Sequence, residues 1–248
     1  MRMKAKKKRL DEILIERGIA ENKIKAEKMI IAGEITASGH QAIAPSQMFA
    51  EDSEVMLKAC ARFVGRGGEK LSYAVKTFRN DIRRKICVDI GTATGGFVDV
   101  LLQNGAKKVY AIDTAKGKLD LKLREDSRVI VMEGTNILYL KKLPELADII
   151  SIDVSLTSLR LVFPILQQFL KEGGEVIALF KPQYEIRNAR VLHHGVVKDS
   201  GVGERALADF IEWLGTHNWK ILGQTTSPIR GMKGNIEFLL HAKYKNIN

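Results

Sequence analysis

Residues 86–97 read Ile86-Cys87-Val88-Asp89-Ile90-Gly91-Thr92-Ala93-Thr94-Gly95-Gly96-Phe97. A short apolar run meets glycines and small residues, then continues into an amphipathic segment over 96–103. That pattern predicts a strand feeding a helix through a tight loop, the place where open α/β sheets hold nucleotide-like ligands.

Downstream the chain alternates regularly. Strands are predicted at 86–90, 108–112, 129–132, 148–152 and 175–180, and helices at 71–78, 96–103, 116–124, 159–170 and 202–216. Two last strands, 220–225 and 237–243, pair as a hairpin about the loop 227–235 and add an antiparallel edge strand. Such alternation implies a mostly parallel sheet covered on both faces through right-handed crossovers. The predicted class is α/β, a doubly wound, Rossmann-like domain of the class I methyltransferase type.

The loop itself limits the ligand. A dinucleotide fingerprint, Gly-x-Gly-x-x-Gly, uses its second glycine to bring backbone against a pyrophosphate. The aligned positions are Gly91, Ala93 and Gly96, so that glycine is replaced by alanine. Asp89, two residues before Gly91, would set a carboxylate against a diphosphate. A cationic ligand without phosphates suits the loop better, and S-adenosyl-L-methionine carries an ammonium and a sulfonium. The predicted contacts are Asp89, Gly91, Ala93, Thr94, Gly95, Gly96 and Phe97, with Asp113 at the end of the next strand accepting from ribose hydroxyls. Asp113 is equally well placed as a helix N-cap before Thr114-Ala115.

Other ionisable residues stand at strand ends. Asp153 follows 148–152, Lys181 follows 175–180 ahead of Pro182, and Glu237 opens the last strand. In a doubly wound sheet, ligands gather beyond the carboxyl ends of the strands. Asp153 and Lys181 therefore share one crevice, within reach of Glu237 and of Lys70 in the first turn of the helix at 71–78. Such a set suits methylation of a ribose hydroxyl. A 2′-hydroxyl is a very weak acid, and a lysine serves as its base when a second cation and desolvation lower the amine's pKa. Methyl transfer otherwise needs mainly alignment. His193-His194 lack the carboxylates or cysteines that would complete a metal site, so no metal is expected.

The front of the chain differs in character. Of 248 residues, 45% are hydrophobic and 28% charged, with a net charge of +11, which points to a globular protein with a polyanionic partner. Two cysteines build no disulfide framework, and no apolar run approaches the ~18 residues of a membrane helix, so a cytoplasmic protein without stable membrane association is expected. Residues 1–8 are predicted to form a basic flexible tip. Two short helices follow, the first with Leu10, Ile13 and Leu14 on one face and ending at Gly18, the second capped by Asn22. Short strands at 34–37 and 54–57 complete an α+β unit over 9–59. A glycine-rich linker, 60–70, then leads into the domain 71–248. Its Gly65, Gly67 and Gly68 predict a bent backbone open to a ligand.

Arg9-Leu10-Asp11, Glu16-Arg17-Gly18, Ala26 and Ile31-Ala32-Gly33 resemble the small RNA-binding domain named after ribosomal protein S-four. That resemblance implies RNA contacts along the second helix. The predicted RNA-binding residues are Arg9, Lys23, Lys25 and Lys28, with Arg62 and Arg66 from the linker. Further motifs, Gly67-Gly68-Glu69-Lys70-Leu71, the opening loop, Asp153-Val154-Ser155, Lys181-Pro182-Gln183-Tyr184, Gly195-Val196-Val197 and Gly234-Asn235-Ile236-Glu237-Phe238, are similar to the TlyA haemolysin-like family. It stands with the FtsJ-like ribose methyltransferases. The resemblance implies a tetrad of Lys70, Asp153, Lys181 and Glu237 and 2′-O-methylation of cytidine in ribosomal RNA, with Lys181 activating the hydroxyl and ribosomal RNA or subunits as partner. Departures from the family pattern fall at Gly65, Leu156-Thr157, 115–118 and 186–194. Three other readings differ in class. They are a non-catalytic RNA- or ribosome-binding protein with this fold, a membrane-lytic haemolysin, and another RNA-modifying enzyme such as a pseudouridine synthase.

Overall fold

The computed structural model describes residues 7–31, 34–42, 44–57, 62–186 and 192–245. The expectations for 1–6, Cys60 and most of the 186–194 loop lie outside these residues. The chain divides into two compact units, Met1–Arg62 and Phe63–Asn248.

The first unit holds β1 (Lys7–Arg9), α1 (Leu10–Glu16), α2 (Lys23–Ile31), β2 (Ile35–Ala37), β3 (His40–Gln41), β4 (Met48–Ala50) and β5 (Val55–Leu57). Leu10, Leu14, Ala26, Met29, Ile30 and Ile35 form its core, as the helical spacing requires. Asn22 caps α2, its Oδ1 accepting from the Lys25 N–H at 2.9 Å. Lys7–Arg9 are not a free tip. They pair antiparallel with Met48–Ala50, and Lys8 Nζ lies 2.5 Å from Glu16 and 3.3 Å from Glu51. Local carboxylates offset the repulsion that the basic run alone suggested.

The second unit contains α3 (Gly67–Phe78), β6 (Ile86–Ile90), α4 (Gly96–Gln103), β7 (Lys108–Asp113), α5 (Leu121–Arg124), β8 (Val129–Glu133), β9 (Ala147–Ile152), α6 (Leu159–Leu166), β10 (Leu170–Phe180), α7 (Pro182–Glu185), β11 (Leu192–His193), β12 (Val196–Val197), α8 (Ser200–Thr216), β13 (Trp219–Thr226) and β14 (Phe238–Tyr244). Its main sheet runs in the order β13-β14-β10-β9-β6-β7-β8. β8, β7, β6, β9 and β10 are parallel, while β14 is antiparallel to both β10 and β13. The antiparallel strand thus sits one place in from the edge, and the edge strand β13 runs with the others. β6 is buried along its whole length, as a central parallel strand must be. Val88 and Ile90 pack on one side with Phe163, Phe210 and Trp219, and Cys87 packs on the other with Leu71, Phe97 and Leu101. Burial pushes the Cys87 thiol up to about 12, an inert core group.

Two local expectations fail for identifiable reasons. The stretch predicted as linker belongs to the second unit from Phe63 onward, which is 4% exposed, and α3 already begins at Gly67. A Cβ on Gly68 would stand 2.3 Å from Phe63 Cβ, and one on Gly96 would stand 2.8 Å from the Gly68 nitrogen. These glycines let α3, α4 and Phe63 approach closely, and they leave no open cradle for a ligand. The helix predicted over 116–124 shrinks to Leu121–Arg124. The Glu133 carboxylate takes the backbone N–H groups of Gly117, Lys118 and Leu119 instead, at 2.9–3.2 Å. Those bonds, led by Gly117 and joined by the Arg124 guanidinium, hold Glu133 down at about 2.

Candidate active site

The exits of β6 and β9 are built against each other. Gly91 has φ +85°, and a Cβ there would lie 2.5 Å from the Asp153 carbonyl oxygen, so both conformation and space demand glycine. The Asp153 N–H donates to the Ile90 carbonyl at 2.9 Å. Ala93 is held in the left-handed region at φ +47°, and its N–H donates to Asp113 Oδ2 at 2.7 Å. Asp113 Oδ1 accepts from the Ala115 N–H, also at 2.7 Å, so one carboxylate caps its own turn and anchors the glycine loop.

Beside this loop lies a cavity of about 220 Å³. Gly91, Ala93, Asp113, Thr135, Asn136 and Asp153 line it together with apolar side chains such as Ile137 and Val162. Its lining carries two carboxylates and no lysine or arginine, in a chain of net charge +11. Carboxylates for an ammonium or for hydroxyls, beside apolar side chains such as Ile112, Ile137 and Val162, fit S-adenosylmethionine and not a diphosphate.

A second cavity, about 490 Å³, adjoins it. Arg66, Lys70, Lys181, Arg230 and Lys233 line it with Glu237, Tyr184, Leu156 and Met232. Ser155 lines both cavities. Lys70 Nζ lies 2.5 Å from Glu237 Oε2, and Lys181 Nζ lies 2.6 Å from Asp153 Oδ1 and 3.0 Å from the Ser155 hydroxyl oxygen. The Lys181–Asp153 contact is an ion pair without hydrogen-bond alignment. Lys70, Lys181 and Glu237 are each at most 9% exposed, so both lysines are largely withdrawn from water. The four residues singled out in the sequence therefore form two ion pairs at one junction, with Asp153 lining the acidic cavity and the other three the basic one.

Other sequence candidates sit elsewhere. Asp89 is fully buried inside the sheet and does not line the acidic cavity; the charge that disfavours a diphosphate comes from Asp113 and Asp153. The Ser151 hydroxyl donates to Asp89 Oδ1 at 2.7 Å, and burial raises this carboxyl to about 7. Gly95, Gly96 and Phe97 are packing residues. A Cβ on Gly95 would fall 2.3 Å from Leu123, and Phe97 lies in the core. The exposed Thr94 accepts from the Asp120 N–H through its carbonyl at 3.1 Å and stands against Gly65.

Among the proposed RNA contacts, Arg66 lines the basic cavity and donates to the Arg230 carbonyl at 3.1 Å. Lys23, Lys25 and Lys28 are exposed on α2, and Arg62 is exposed at the end of the first unit. Arg9 is committed within the protein. Its Nε and Nη2 donate to the two oxygens of buried Asp11 at 3.0 and 2.6 Å, and that guanidinium keeps Asp11 below the usual carboxylate range. A buried carboxylate needs such a partner. The sequence reading missed Arg230, Lys233 and the bond from Lys181 to Ser155. The two cations lie in the 227–235 loop, where only the return of the hairpin to the sheet brings them near Lys181.

Residues 63–244 match the FtsJ-like methyltransferase family. A Bacillus subtilis protein provisionally named an rRNA methyltransferase, YqxC, is 42% identical over 96% of this chain and 86% of its own length. The 16S/23S rRNA (cytidine-2′-O)-methyltransferase TlyA of Mycobacterium tuberculosis is 33% identical over 95% of this chain and 90% of its own. A solved structure from Streptococcus thermophilus, described provisionally as a hemolysin, superposes with a TM-score of 0.74 at 36% identity, covering 98% of this chain and 90% of that one. No helix among the described residues is long and apolar enough to cross a membrane.

Proposed function

This chain belongs to the FtsJ-like methyltransferase family, and we propose that it transfers a methyl group from S-adenosylmethionine to the 2′-hydroxyl of a cytidine in ribosomal RNA. The observation that carries this reading is the segregation of charge across the tetrad. An acidic cavity fits a cationic methyl donor, and a basic one fits a phosphate-bearing acceptor. The Lys181–Asp153 pair spans the boundary. The relatives named for rRNA and cytidine methylation support the choice of acceptor.

In this mechanism Arg66, Arg230 and Lys233 hold the phosphates flanking the target ribose, whose 2′-hydroxyl lies at Lys181 Nζ. Asp153 and Ser155 fix the lysine's direction, and Glu237 balances the charge of Lys70. S-adenosylmethionine, when bound, supplies an electrophilic methyl on a sulfonium. The proton that the acceptor hydroxyl gives up on methylation would pass to the neutral Lys181 Nζ, and Asp153 Oδ1, 2.6 Å away, would hold the ammonium so formed. Both lysines are largely buried, which limits the water around their ammonium groups. Asp113 would hold the donor by accepting from its hydroxyls, and Gly91 and Ala93, which line the same cavity, would give it backbone to lie against.

The test is incubation with isolated ribosomal subunits and labelled S-adenosylmethionine, followed by nucleoside mass spectrometry. The expected product is 2′-O-methylcytidine, lost on Lys181→Ala by about two to four orders of magnitude in rate, the usual weight of a positioned acid–base group. Methyl groups on a base, or none on any RNA, would overturn the assignment.

A further inference from the structure

Glu185 closes α7, four residues beyond Lys181, and its side chain reaches across to the start of α6. Its Oε1 accepts from the Leu159 N–H at 2.6 Å, and its Oε2 accepts from the Ser158 hydroxyl at 2.6 Å. The Ser158 oxygen in turn accepts from the Arg160 N–H at 3.1 Å. A carboxylate from one loop thus completes the cap of a helix that opens from another.

The two segments so joined are the exits of neighbouring strands. Residues 153–159 leave β9 and carry Asp153 and Ser155; residues 181–185 leave β10 and carry Lys181. They meet first where Lys181 touches Asp153 and Ser155, and again at Glu185. Between these two ties lies Leu156, at φ +63° and 87% exposed. That conformation is strained for a branched side chain and persists only where its flanks over-determine it. One flank is fixed by the Asp153 N–H on the Ile90 carbonyl, at 2.9 Å. The other is fixed by Glu185. Burial raises the pKa of Glu185 above the ordinary range, against the hydrogen bonds from Ser158 and Leu159. Exposed glutamate carries no such penalty, so the two bonds are what this position gains in return.

We propose that Glu185 is a positioning residue for methyl transfer, a staple that holds the β9 and β10 exits at the separation where Lys181 meets Asp153 and Ser155. This rests on the reading of Lys181 as the group that faces the acceptor hydroxyl. Glu185 touches neither cavity. Its effect runs through the geometry of Lys181.

Full-length Glu185→Ala, Glu185→Gln and Ser158→Ala proteins distinguish a staple from a general stability residue. The measurements are single-turnover transfer to ribosomal subunits, S-adenosylmethionine affinity by calorimetry, and competitive acetylation of Lys181 read by mass spectrometry. Glu185→Ala is expected to slow transfer about 10- to 100-fold, the scale of an ångström-level misplacement. Its donor affinity should stay at the unaltered level, and Lys181 should acetylate faster. Glu185→Gln should restore both rates, because its carbonyl accepts from Leu159 and its amide donates to the Ser158 oxygen. Should Glu185→Ala fail to fold, Ser158→Ala removes one arm alone and should show a smaller change in both readouts. Unaltered transfer and acetylation in either variant would sink the proposal, as would equal loss in Glu185→Gln and Glu185→Ala together with loss of donor binding. The acetylation contrast needs no RNA, so an absence of transfer by the unaltered protein strikes the functional reading and leaves the staple separately decidable.

Discussion

At Asp89 a carboxylate is carried into the middle of the sheet, with Ser151 donating to one oxygen and no hydrogen-bond partner for the other among the described residues. Burial is the main reason its pKa rises from 3.8 to about 7, and the negative Asp153 and Asp113 add to it. A carboxyl raised on folding contributes stability that is complete below its unfolded pKa and is lost as pH climbs through the folded one. The relevant window is therefore about pH 4 to 7, with the loss complete above it. Asp89→Asn removes the titration and supplies an amide to the unpartnered side. Relative to the unaltered protein, its stability should rise across that window, by at most about 4 kcal/mol for a shift of this size. Urea melts at pH 5 and pH 8.5 read the difference, and an equal gap at both values would refute it. Gly91 makes a stricter demand nearby. With φ +85° and the Asp153 carbonyl oxygen 2.5 Å from where a Cβ would stand, Gly91→Ala should separate the β6 and β9 exits and abolish donor binding in calorimetry.

The element that carries Lys70 depends on glycine in another way. α3 begins where Gly68 lies under Phe63 and beside Gly96, and its far end is fixed by Phe78 stacking on His241 of β14 at 5.4 Å between rings. Lys70 on α3 meets Glu237, the residue before β14, so these contacts align one ion pair of the junction. Gly68→Ala should cost about 1–3 kcal/mol by overpacking. It should also displace Lys70, visible as a lower thermal midpoint and a slower transfer step with donor affinity kept. Most strands and helices of this unit could be read from the chain because the central strands β6, β7 and β9 are near-continuous apolar runs and the outer helices α3, α6 and α8 carry one apolar face. The strand-end position of Asp153, Lys181 and Glu237 could be read for the same reason. What could not be read depends on partners distant in sequence. Glu133 captures three backbone N–H groups about fifteen residues earlier, Phe63 occupies the space over Gly68, and Arg9 answers a buried Asp11. Glycines at 65, 67 and 68 look alike in sequence whether they free a loop or admit a neighbouring side chain, and only packing separates the two.

Across the whole molecule the excess of positive charge is distributed with a purpose that the net value of +11 conceals. The acidic cavity is lined by no lysine or arginine, the basic cavity by five, and the first unit exposes Lys23, Lys25 and Lys28 along α2. If the acceptor is structured RNA, the two groups of cations contribute differently. Those at the junction act on one nucleotide and its neighbours, so their loss slows transfer. Those on α2 act on phosphates at large, so their loss weakens binding for every sequence alike and leaves the chemical step untouched. Phosphate contacts release counterions, and each contributes roughly 0.7 to 0.9 to the slope of log affinity against log salt. Replacing Lys23, Lys25 and Lys28 with alanine should therefore lower that slope by about 2 to 3 if all three meet phosphate. The single-turnover rate at saturating RNA should remain that of the unaltered protein. Arg230→Ala should show the opposite split, a modest change of slope with a fall in rate. Filter binding to ribosomal subunits over a salt series, paired with single-turnover transfer, separates the two. An unchanged slope in the triple variant would remove α2 from the RNA interface, and a fall in its transfer rate at saturation would mean that the first unit takes part in placing the target nucleotide.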